Sequence, residues 1–242
     1  MHISSRRGIF PWFTIIEGIA GFFMQCWLFS TADGTGLLPQ YHFAGIVSFL
    51  LLALTLAICW MGARAEEDTS PDKLFLAYPP AAAGIALSAL GFAISAFTVS
   101  GFSFLAFLTP ICGILAGAVL GYIAYCRLKG LQTEGILHCV ITVYLILRTM
   151  TSCGIWSAEP QLLRYFFPLL ACILLLIASY YRAALALGAA NCSRYVFFSQ
   201  AALFCCCLSC RGSDWLFYLS AAIWLSWDFP APSSVHTGRF MR

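Results

Sequence analysis

Stretches of roughly twenty apolar residues recur along the whole chain with short polar breaks between them, each long enough to cross ~30 Å of hydrocarbon as a helix. That feature leaves few folds open. A membrane β-barrel would show alternating segments of about ten residues, and these runs are continuous. A soluble domain carries about 25% charged residues. Here 10% of 242 residues are charged and 61% are hydrophobic, too little polar surface to face water. The pattern predicts an all-α polytopic bundle with spans near 9–30, 43–62, 76–98, 103–126, 135–156, 164–183, 195–211 and 214–229. The last two are the shortest, so a six-span bundle with a re-entrant tail is the alternative. Spans and turns consume residues 1–242, which read as one integral membrane domain.

Lys and Arg set the orientation of such a bundle. With the N-terminus inside, ten of them (Arg6, Arg7, Arg64, Lys73, Arg127, Lys129, Arg182, Arg194, Arg239 and Arg242) fall at cytoplasmic ends. Only Arg164 and Arg211 fall outside. Both termini are therefore expected in the cytoplasm. The first run lacks a small-residue cleavage site and reads as a retained span. The net charge of +3 is dispersed, with no basic–aromatic interleaving, so the expected surroundings are the lipid bilayer and not nucleic acid.

Most of the twelve cysteines lie inside or at the edge of apolar runs, where a free thiol behaves as a small hydrophobe. Cys207-Leu-Ser-Cys210 is a lone C-x-x-C with no second pair to complete a zinc set, and no metal or other cofactor is expected. Span three opens on Pro79-Pro80 and span four carries Pro110. Gly113, Gly117 and Gly121 follow at four-residue spacing, a face that lets helix backbones approach closely. It predicts a tight hairpin of spans three and four, and offers the same glycines to a second copy of the chain. Glu17-Gly-Ile19 with Pro39-Gln40, and Glu134-Gly-Ile136 with Pro160-Gln161, suggest a weak four-plus-four repeat dividing near residue 126.

Arg148 is the basic side chain set deepest in an apolar run, 12 residues or about 18 Å beyond Ile136. Burying it costs about 2.5–3.5 kcal/mol on the insertion scale, so it should face protein or water and be paired. Glu17, the one acid deep in a span, is the expected partner. Three readings stay open: a helix lock, a ligand or ion pathway, and snorkelling to the interface. His138 sits ten residues before Arg148, with side chains about 80° apart around the helix, so the two could border one cavity. The next loop places Trp156 and Glu159 beside Tyr165. The candidate ligand set is Glu17, His138, Arg148, Trp156, Glu159 and Tyr165.

No H-E-x-x-H, G-x-S-x-G or P-loop lysine occurs, and no catalytic residue is assigned; an enzyme is the minority reading. Trp156-Ser-Ala-Glu-Pro-Gln161 with Leu162, Tyr165, Leu169-Leu-Ala171, Tyr180 and Ala183-Ala184 resembles a family of uncharacterised multi-pass membrane proteins from clostridial-type Gram-positive bacteria. Asp33-Gly-Thr-Gly-Leu-Leu-Pro39 with His42, and the Arg194-to-Trp224 tail, are similar to the same family. Gly154-Ile155 departs from it where a basic residue is expected. The resemblance implies a bacterial cytoplasmic membrane and no particular activity.

Two functions fit these residues. The favoured one is a small-molecule transporter or membrane-embedded binding protein, taking a small anionic solute between spans one and five. The other is a non-transporting scaffold or sensor component in which Glu17 and Arg148 only lock helices. They differ in whether Arg148 has room around it or is directly paired.

Overall fold

A computed structural model describes residues 10–30, 43–65, 79–98, 104–131, 133–156, 162–210 and 214–227. Within its helices, the side chains of residues 10–15, 17, 28–29, 44–45, 65, 155–156, 162–165 and 227 lie outside the description. The described elements are eight α-helices: α1 (Phe10–Ser30), α2 (Phe43–Ala65), α3 (Pro79–Ser95), α4 (Phe104–Lys129), α5 (Gly135–Trp156), α6 (Leu162–Ala186), α7 (Cys192–Ser209) and α8 (Trp215–Trp227). A single 3-10 turn, Ala96–Thr98, extends α3. No strand occurs among the described residues, and the protein is an all-α polytopic bundle.

Six helices, α2 to α7, are long and apolar enough over their described residues to cross a membrane. Large apolar side chains cover the outside of the bundle, among them Leu87, Leu90 and Ile94 on α3 and Phe104, Phe107 and Ile111 on α4. Apolar surface on that scale is unsuited to water. It identifies a multi-pass membrane protein.

Helix α3 has neighbours on two sides, and small residues bring them close. On one side, a Cβ on Gly117 of α4 would lie 2.8 Å from the Ala89 carbonyl oxygen, and one on Gly113 would overlap Ala96. On the other, a Cβ on Gly91 would overlap Ser220 of α8. The α3–α4 interface is the most extensive in the molecule, as the glycine spacing predicts. Gly113 and Gly117 thus meet α3 within the chain, whereas a Cβ on Gly121 would find no other described group within 4 Å.

The centre of the bundle is aromatic. Phe92 of α3 meets Tyr144 (5.8 Å), Phe217 (5.5 Å) and Trp224 (6.2 Å) edge-on. That geometry favours aromatic rings by about 0.5–1.5 kcal/mol per pair beyond the area they bury. Helices α1 and α2 pair through Gln25 and Ser48 (3.3 Å) and lean on α7, where Gly18 touches Cys207. All twelve cysteines are free thiols, and Cys59, Cys126, Cys172, Cys192, Cys205 and Cys206 fill buried positions.

Arg64, Arg127, Lys129, Arg182 and Arg194 lie at or near the same end of the bundle, called here the basic end. At the opposite end three helices stop early. α6 runs ten residues, about 15 Å, beyond Cys172, but α8 has only three helical residues beyond Tyr218, which contacts Cys172. α1 continues twelve residues, about 18 Å, past Gly18, but α7 ends two residues past Cys207. The α-helical part of α3 ends at Ser95, beside Gly113, nine residues inside α4. With 13 described residues α8 is about 20 Å long, short of a ~30 Å crossing. Over its described residues the predicted eighth span is thus about two thirds of a crossing, and its first residue is sunk among longer neighbours.

Candidate site at the sunken helix ends

Arg148 lies where these short helices end. On α5 it stands eight residues, about 12 Å, inside the end at Trp156, and its side chain is 2% exposed. Its Nη2 donates to Asp214 Oδ1 at 2.6 Å, forming an ion pair. Its Nη1 donates a longer bond, 3.4 Å, to the carbonyl oxygen of Ser95. The guanidinium carbon sits 5.2 Å from the centre of the Phe217 ring. One side chain therefore ties α5 to α3 and to α8.

Each partner suits a cation. Asp214 is the residue before the first turn of α8, and its carbonyl accepts from the N–H groups of Phe217 (2.9 Å) and Tyr218 (3.3 Å). Aspartate is favoured at that position because its charge complements the positive end of the helix. Ser95 closes α3, where unpaired carbonyls form the negative end of another helix. Thr98 donates to the Ser95 carbonyl at 2.7 Å and lies 3.5 Å from Asp214 Oδ1. Its single proton is spent on the shorter contact. At the next level toward the basic end, the Tyr218 hydroxyl donates to the Pro168 carbonyl of α6 at 3.4 Å and meets Cys172 Sγ at 3.5 Å. The Asp214 carboxylate and the Tyr218 hydroxyl are thus each partnered on another helix.

The two ions are unequally exposed. The side chain of Asp214 is 19% exposed against 2% for Arg148. The carboxylate is thus the more exposed member of the pair, and the guanidinium is the buried one.

The sequence leads one to expect Arg148 to pair with Glu17; among the described residues its partner is Asp214. The extensive helix interfaces include none between α1 and α5, since α1 packs on α2 and α7 while α5 packs on α4 and α6. The side chain of Glu17 lies outside the description, as do those of Trp156 and Tyr165, whose backbones fall at the end of α5 and the start of α6. Glu159 lies outside the described residues altogether. His138 is buried on α5 but ten residues, about 15 Å, from Arg148, toward the basic end, where its Nε2 lies 3.5 Å from Thr133 Oγ1. Of the two singled-out residues whose side chains are described, Arg148 stands at the node and His138 does not. Among the described residues, no three His, Cys, Asp or Glu side chains gather as a metal set.

Asp214 escaped the sequence reading because it falls at the predicted boundary of the last span, where an acid is unremarkable. The signal was length. An apolar segment of thirteen residues that joins a bundle must start below the ends of its neighbours, taking its capping acid with it.

Comparison of the chain with protein-family models, curated proteins and solved structures finds no match.

Proposed function

We propose that this chain is a non-transporting membrane component, of the scaffold or sensor kind, in which Arg148 and Asp214 lock α5, α3 and α8 together. The observation that carries this reading is the direct 2.6 Å pair around a guanidinium only 2% exposed. A lock needs contact and a solute site needs room, and at Arg148 there is contact. The resemblance to clostridial-type membrane proteins adds a bacterial cytoplasmic membrane as the setting, with the basic end toward the cytoplasm.

One observation favours the second reading, a transporter or membrane-embedded binding protein. Helices α3, α7 and α8 end inside the bundle, and broken or half-length helices are how many transporters aim polar termini at a substrate. The two readings separate in a detergent melting series of wild type and Arg148→Leu against a panel of small anions. The lock predicts that Arg148→Leu lowers the melting temperature and that no anion stabilises wild type at low concentration. A low-concentration anion shift in wild type that disappears in a normally stable Arg148→Leu protein would contradict it.

A further inference from the structure

The geometry points to Asp214 as a built-in ligand: it fills, from within the chain, an oxyanion site that a small carboxylate can occupy in its place. The inference rests on the lock reading and asks what could open the lock. Four observations support it.

The pair is held by one carboxylate oxygen, Oδ1, on one guanidinium nitrogen, Nη2. Arginine carries five N–H donors in a fork that suits two-oxygen binding, so this contact uses a fraction of the recognition the group offers. A second bond, from Nη1 to the Ser95 carbonyl oxygen, is long at 3.4 Å and anchors the guanidinium from the helix side. Displacing Asp214 therefore leaves the cation in place.

The guanidinium is also pre-organised. Phe217 lies against it at 5.2 Å and the α3 carbonyl end holds it, so little freedom remains to be lost when an anion binds.

A second donor stands beside it. Thr98 Oγ1 is 3.5 Å from the same carboxylate oxygen and needs only a rotation of its proton from the Ser95 carbonyl to serve an anion. Asp214 directly precedes α8, so an anion that takes the place of its carboxylate lies near the positive start of that helix.

Access completes the case. The carboxylate is the exposed partner, 19% against 2%, and it sits at helix ends sunk about 9 Å or more below those of α1 and α6. A solute reaching the pair meets the more exposed Asp214 before the buried Arg148. Asp214 would swing out, the incoming carboxylate would take its place on Arg148, and α8 would lose its tie to α5. The exchange makes and breaks no covalent bond.

The test is chemical rescue by sodium formate, followed as the melting temperature of the full chain in detergent, with sodium chloride matching the ionic strength. Asp214→Ala empties the site. Formate should raise its melting temperature by several degrees in a saturable way, beyond chloride. The double variant Asp214→Ala with Arg148→Leu should not respond. Wild type should need at least about tenfold more formate for any specific shift, since an occupied site binds with an affinity reduced by the fraction of open protein. Asp214→Asn, which keeps the cap and the volume, repeats the test if the alanine protein fails to fold. No rescue beyond chloride in either variant would overturn the proposal, as would equal rescue of wild type, of Asp214→Ala and of the double variant. Failure to recover either single variant with formate present throughout purification would count against it too. Normal melting of Arg148→Leu would instead remove the lock itself, so the two failures are distinguishable.

Discussion

Helices α4 and α8 both pack on α3, yet they are fastened by different forces. α4 is held by absence of side chain: Gly117 lets its backbone come within contact of the Ala89 carbonyl, and Gly113 makes room for Ala96. α8 also approaches closely, at Gly91 and Ser220, but its first turn is held by charge through Asp214, Arg148 and Ser95. In a bilayer, where burial of apolar surface no longer drives helices together, dispersion and polar contacts remain. The first is sensitive to volume and blind to charge. The second is the reverse, and the difference can be read out by substitution.

The largest effect is expected at the charge-held contact, and it should be asymmetric. Asp214→Ala strands a guanidinium that is 2% exposed and cannot give up its proton, at a cost of about 3–5 kcal/mol. Arg148→Leu strands a carboxylate that is 19% exposed and more easily hydrated, so its cost should be nearer about 1–3 kcal/mol. Denaturation in mixed micelles at neutral pH measures both. Equal losses, or a larger loss for Arg148→Leu, would say that burial does not divide between the two ions as described.

The volume-held contact should respond next, and only where it is tight. Gly117→Leu has no space and should cost about 1–3 kcal/mol through overpacking. One turn away, a Cβ on Gly121 would find no other described group within 4 Å, so Gly121→Ala should be neutral or stabilise the helix by up to about 1 kcal/mol. Destabilisation by Gly121→Ala in the same assay would reveal a neighbour there, such as a second copy of the chain.

The same contrast explains what could be read from the sequence. Glycines at positions 113 and 117 announce a close helix pair because spacing along one helix fixes which face they share. Helix positions were legible for a related reason: an apolar run carries its own length, and all eight predicted spans coincide with helices to within a few residues. Arg148 was legible because a cation in an apolar run needs an explanation wherever the run packs. Its partner was not. Which acid reaches it depends on where helices end relative to one another, and no local pattern encodes that stagger. Glu17 was chosen for depth along its own helix, yet Asp214 reaches the same guanidinium because α8 begins deep in the bundle.

The central claim is that Arg148 and Asp214 act as one unit, and a double-mutant cycle tests it most directly. Arg148→Leu, Asp214→Ala and the combined variant would be compared with wild type by reversible unfolding in mixed micelles. The account predicts that the second change costs little once the first is made, with a coupling energy of at least about 1.5 kcal/mol, toward the upper part of the range for residues in contact. Losses that add to within about 0.5 kcal/mol would mean that the two ions stand near each other without holding the helices together.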